Sequence, residues 1–154
     1  MSAKKFKYYF EDFPAGMAVE VAGPTLTREA ILEYARRYDP QPFHTDEEAA
    51  RQSIFGGLIA SGWQTVSLVM RMICDAYLLD SASMGSPGVN QVRWVKPVRP
   101  GDTIRLRMSV IEAKPSRSKP DRGTVLHCWE VFNQKDELVM SMEGYGMFRR
   151  RAAA

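Results

Sequence analysis

Cysteine and histidine are both scarce, with two of each in 154 residues. Cys74 and Cys128 stand far apart, and neither belongs to a CxxC or a Cys/His pattern. That argues against a disulfide framework and a zinc site, and both cysteines read as small buried hydrophobes. No uncharged apolar run approaches the ~18 residues of a membrane-spanning helix. Met1 to Phe13 carries lysines but not the apolar stretch of a secretory signal. The expectation is a soluble, cytoplasmic chain. Excess charge is missing as well. The formal net charge is +3, and no basic run is interleaved with aromatics, so nucleic acid is a poor partner while anionic small molecules remain open. Neither repeats nor low-complexity linkers divide the chain. With 45% hydrophobic residues it is expected to form one domain, 1–154, around its own core. Arg149, Arg150 and Arg151, followed by three alanines, read as a frayed, solvated end.

What is present changes character once, near residue 87, with helix signals before it and strand signals after it. Thr27 caps a helix whose apolar face is Ile31, Tyr34, Ala35 and Tyr38, and Pro40 ends it. Thr45 to Glu48 has the form of a capping box opening a second, short helix. Ser61, Gly62, Trp63 and Gln64 form another such pattern, and the stretch from Val66 to Leu79 is apolar almost all round, as expected of a buried helix. Its polar residues Gln64, Ser67, Arg71 and Asp75 make one thin stripe. Strands are expected at Val89 to Val95, along Ile104, Leu106, Met108 and Val110, at Val125 to Phe132, at Leu138 to Phe148, and around Met17 to Ala22. Asn133 to Asp136 is a hairpin turn. The fold class is α+β, with about five antiparallel strands and a long apolar helix to cover one face.

The run DPQPFH, Asp39 to His44, holds an acid and an imidazole five residues apart across two prolines. The prolines fix φ twice and remove two backbone donors, so a stiff loop is expected, neither helix nor central strand. A bend in it would bring Asp39 and His44 together, with Asp39 just past one helix and His44 just before the next. A helix C-terminus makes a carboxylate more basic, and an N-terminus keeps an imidazole neutral, which outlines a proton-transfer pair. The bland alternative is a turn residue and a histidine that merely precedes a helix. The third piece is Ser61–Gly62. With Ser61 as N-cap satisfying the donor of Gln64, the Gly62 N–H is left unpaired at the positive helix end, where it can stabilise a developing oxyanion.

YDPQPFHTDEEAARQSIFGGLIASGW resembles the signature region of the MaoC-like dehydratases, which include the R-specific enoyl-CoA hydratases, and PVRPGDTI with the strand-rich end extends the likeness over most of the chain. The resemblance implies a hotdog fold and the interconversion of a trans-2-enoyl-CoA and a 3-hydroxyacyl-CoA, with no metal and no organic cofactor. It implies Asp39 and His44 as the catalytic pair, Gly62 as the oxyanion donor, and Ser61 and Gln41 beside the substrate. It further implies an acyl-CoA thioester as partner and a homodimer, with Gln64, Arg71 and Asp75 facing the second copy. Two positions depart from the hydratases proper: Tyr38 stands where they have Gly, and Gln41 where they have Asn.

The alternatives are a non-catalytic acyl-thioester-binding protein and an acyl-CoA thioesterase, whose acidic residue would sit nearer the middle of the central helix than Asp75 does. Ser61 as a nucleophile is disfavoured, since IASGW is not GxSxG. His127 alternates with Val125, Trp129 and Val131 and reads as a packed histidine. Lys114, Arg117, Lys119 and Arg122 read as a solvated hairpin tip, with contact to coenzyme A phosphates as the other reading. The methionines at 70, 72, 140, 142 and 147 read as core filler.

Overall fold

The computed structural model describes residues 5–152; the end alanines at 153 and 154 and the first four residues lie outside them. Alternating side chains build the sheet. Along β3 (Thr103–Pro115), Ile104, Leu106, Met108 and Val110 are buried on one face, and along β4 (Arg122–Phe132) Val125, His127, Trp129 and Val131 are buried on the same side. With β1 (Ala18–Thr25), β2 (Val89–Trp94) and β5 (Leu138–Arg149), they form one antiparallel five-stranded sheet in the order β1-β3-β4-β5-β2. β2 therefore occupies an edge. The Asn133 turn forms as expected, its Oδ1 accepting from the N–H groups of Lys135 and Glu137.

Among the described residues four α-helices precede β2. α1 (Arg28–Tyr38) is capped by Thr27, whose hydroxyl accepts from the Ala30 N–H, and it buries Ile31, Leu32 and Ala35. α4 (Gly62–Ile73) lies against the sheet, with Val69, Met72 and Ile73 in the core. A helix packed on one face of an antiparallel five-stranded sheet is the hotdog arrangement.

Several sequence expectations are corrected. DPQPFH is not all loop: Pro42 sits at the first position of a one-turn helix, α2 (Pro42–Thr45), where its missing N–H costs no intrahelical bond. His44 thus lies inside a helical turn. The cap of α3 (Glu47–Gln52) is Asp46, not Thr45; its carboxylate takes the Glu48 and Ala49 N–H groups. α4 does not stay α-helical to Leu79 but passes into a π-helical turn over Cys74–Leu78. Nor is it buried all round, since Trp63 and Met70 are exposed. Gln64 is not on an outer stripe: it is buried, and its Nε2 donates to the Ala30 carbonyl. Both cysteines are half-buried free thiols. The arginine end is not frayed, because Arg150 pairs with Glu11, and Arg151 with Asp12. Among the described residues no helix is long and apolar enough to cross a membrane.

Candidate active site

α1 ends at Asp39, whose N–H closes the last turn on the Ala35 carbonyl. Gln41 then adopts an extended conformation, and Pro42 starts α2 at once. This tight reversal swings His44 back, so that its Nε2 lies 3.3 Å from Asp39 Oδ2. His44 is buried, and the Asp39 side chain is 16% exposed.

Each member is held by its other atoms. His44 Nδ1 lies 2.8 Å from the Ile59 carbonyl. A carbonyl only accepts, so Nδ1 carries the hydrogen, and Nε2 is the ring atom that can gain or lose a proton. On the carboxylate, Oδ1 accepts from Gln41 Nε2 at 2.7 Å, and Oδ2 accepts from Ser61 Oγ at 2.7 Å. Burial pushes the Asp39 pKa up. The hydrogen bonds from Ser61 and Gln41, with the neighbouring His44, outweigh it and hold the carboxyl below its usual range. Asp39 is therefore ionised at neutral pH.

Ser61 does two jobs with one hydroxyl, donating to Asp39 and accepting from the Trp63 N–H as N-cap of α4. The expected capping of Gln64 is replaced by that of Trp63. Ser61 is fully buried behind Asp39 and does not line the cleft. No hydrogen bond joins it to His44. Gly62 does line the cleft, and its N–H, at the first helical position, has no acceptor among the described residues. A Cβ at Gly62 would fall 2.3 Å from the Trp94 indole, so only glycine lets β2 cross the helix start this closely.

The cleft over these groups has a volume of about 430 Å³. Its apolar walls come from Phe43, Phe55, Trp63, Trp94, Val98 and Val139. The sequence reading missed the two tryptophans and the Ile59 carbonyl. The basic residues 114–122 are not at the cleft, and Lys114 and Arg122 are already paired with Glu112 and Asp121. Asp75 pairs with Arg71 on an exposed surface, away from the cleft. No group of three His, Cys, Asp or Glu side chains among the described residues could hold a metal ion.

Comparison with known proteins places this geometry in a lineage. An uncharacterised protein of Bacillus subtilis, YdeM, is 28% identical over 133 residues, covering 86% of this chain and 93% of that one. The 3-hydroxyacyl-thioester dehydratase Z of Mycobacterium tuberculosis is 32% identical over 109 residues, covering 70% of this chain and 72% of its own. The crystal structure of a MaoC-like dehydratase from Rhodospirillum rubrum superposes with a TM-score of 0.86 at 37% identity, over 94% of this chain and 99% of that one. Residues 12–128, from the approach to β1 well into β4, match the family described as MaoC like domain. The Asp39–His44 reversal and the start of α4 both fall within that match, and the chain belongs to the MaoC-like family of hydratases and dehydratases, on the hotdog fold.

Proposed function

We propose that this protein, acting as a single domain, adds water across a trans-2-enoyl thioester and removes it from the 3-hydroxyacyl thioester, with coenzyme A as the thiol. The observation that carries the reading is the fixed His44 tautomer, which aims Nε2 at an ionised carboxylate on the floor of an apolar cleft. In hydration, one water hydrogen-bonded to Nε2 and Asp39 gives a proton to Nε2 as its oxygen forms the bond to C3. The C2–C3 π electrons move toward the thioester carbonyl, and the Gly62 N–H takes up the charge on the enolate oxygen. The proton held by the dyad then passes to C2, so water is consumed in full. Dehydration runs the same steps backwards. Asp39, with both oxygens already accepting hydrogen bonds, orients the water and stabilises the protonated ring; the two groups titrate as one unit.

A homodimer paired along β2 is part of this reading. Among the described residues β2 is an edge strand with no neighbour on its outer side, and its Val89 and Trp94, with Val95 just after it, are exposed beside Trp63 and Met70 of α4. An apolar strip on an open edge calls for a partner. Sedimentation of the purified chain tests it, with a dimer expected and a monomer against it. For the reaction, incubation with crotonyl-CoA should remove the conjugated-enoyl absorbance without releasing thiol. Thiol release would mark a thioesterase, and binding with neither change a carrier.

A further inference from the structure

The start of α4 offers the cleft more than the Gly62 N–H. Gly62, Trp63 and Thr65 of its first turn line the cleft, while the Gln64 side chain turns away to the Ala30 carbonyl. Thr65 follows Gly62 by three positions, so it lies on the same side of the helix, about 4.5 Å further along the axis. Helical side chains lean back toward the N-terminus, which brings the Thr65 hydroxyl toward the level of the Gly62 N–H.

That hydroxyl is buried and unspent. Thr65 is 2% exposed, and its Oγ1 makes no hydrogen bond among the described residues. A hydroxyl inside a helix commonly donates to the carbonyl four residues back, as Ser67 does to Trp63. For Thr65 that carbonyl belongs to Ser61, and it already accepts from the N–H groups of Gln64 and of Thr65 itself. Nor is Oγ1 sealed away, as Gln64 Oε1 and both ring nitrogens of His127 are; the surface it keeps opens into the cleft.

Threonine is an odd choice here unless the hydroxyl is used. Valine would fill the same shape without burying a polar atom, and alanine would favour the helix more. Buried polar groups are almost always satisfied, and one with an open side finds its partner in what enters the cleft. Two donors, the Gly62 N–H and the Thr65 O–H, therefore stand together at the positive end of α4. A carbonyl oxygen has two lone pairs and can accept from both.

We propose that Thr65 is a catalytic residue, its hydroxyl donating to the thioester carbonyl oxygen beside the Gly62 N–H and taking up charge there as the enolate forms. This rests on the hydration reading above and gives the oxyanion site a second donor. No proton leaves Thr65: its hydrogen bond strengthens as the oxygen gains charge and relaxes when the proton of the dyad reaches C2.

The test reads the carbonyl itself. Butyryl-CoA labelled with ¹³C at the thioester carbon has no double bond to hydrate, and its C=O stretch, followed by isotope-edited infrared spectroscopy, falls in frequency as the oxygen accepts stronger hydrogen bonds. Bound to the intact protein, the band should lie below that of the free thioester in buffer. Thr65→Val should return it part of the way, and Thr65→Ser, which keeps the hydroxyl, should leave it low. With crotonyl-CoA, Thr65→Val should lower kcat about 10²-fold with KM little changed, and Thr65→Ser should restore most of the rate. Should the carbonyl band respond in this way while crotonyl-CoA is not hydrated, the reaction reading fails and the Thr65 contact stands. Coincident bands for the intact protein and folded Thr65→Val, an intact-protein band no lower than that of the free thioester, or a Thr65→Val hydration rate equal to the intact protein's would overturn the proposal.

Discussion

Ser61 donates its hydroxyl hydrogen to Asp39 Oδ2 at 2.7 Å, tying the start of the central helix to the carboxylate of the dyad. That bond helps hold Asp39 ionised, with its pKa below the usual range. Ser61→Ala removes it and leaves burial less opposed, so the carboxyl pKa rises. The acid limb of the kcat/KM profile should move to higher pH, while activity on the plateau falls less than for loss of Asp39 itself. Loss of the N-cap should also lower stability by about 0.5–2 kcal/mol, measured by denaturant titration. An unmoved acid limb would contradict the role given to Ser61.

Asp39 also makes stability depend on pH. Its folded pKa lies below its unfolded value, so its contribution is present above the ordinary carboxylate range and is lost as pH falls through the folded pKa. Asp39→Asn should flatten that acid decline, read from melting temperatures across pH.

His127 works over a different window. Burial pushes its pKa from 6.5 down to about 4, with the Val125 carbonyl acting weakly the other way. The unfolded chain therefore binds a proton that the folded chain refuses, and stability falls as pH drops from about 6.5 toward 4. The full loss is about 3 kcal/mol. His127→Phe should abolish this slope and leave the protein at least as stable at pH 7. A slope unchanged in the variant would place the effect elsewhere.

Gly62 and Trp94 are coupled by contact. Gly62→Ala drives a methyl group into the indole and should cost about 1–3 kcal/mol, with a loss of kcat as the helix start shifts. Trp94→Ala in the same chain should recover most of the stability, a non-additive pair in a double-mutant cycle. Additive costs would show that the contact is not what excludes a side chain at Gly62.

The sheet was legible because period-two alternation is strong in β3 and β4, where one face is core. The prolines between Asp39 and His44 made a pair possible, and Ser61–Gly62 with the family resemblance singled it out. How they meet was not legible, since a proline is barred from a helix interior yet suits a helix's first position, and the spacing of Pro40 and Pro42 points only to the first of these. The Ile59 carbonyl that sets the His44 tautomer left no trace, because every residue has a carbonyl. Ser61 was read as a cap, and it is one. Its donor hydrogen was still free for a second bond that only tertiary structure reveals. Gln64 was misplaced because helical spacing groups polar residues without telling which face another helix covers.

The central claim is that His44 Nε2 and ionised Asp39 move a proton of water at C3 of an enoyl thioester. The most direct measurement compares the decay of crotonyl-CoA's conjugated absorbance with the intact protein, Asp39→Asn and His44→Gln, each shown to be folded by circular dichroism. The account predicts steady hydration by the intact protein and a fall of about 10²–10⁴-fold in kcat for either variant. Folded variants that hydrate crotonyl-CoA at the intact protein's rate would contradict it.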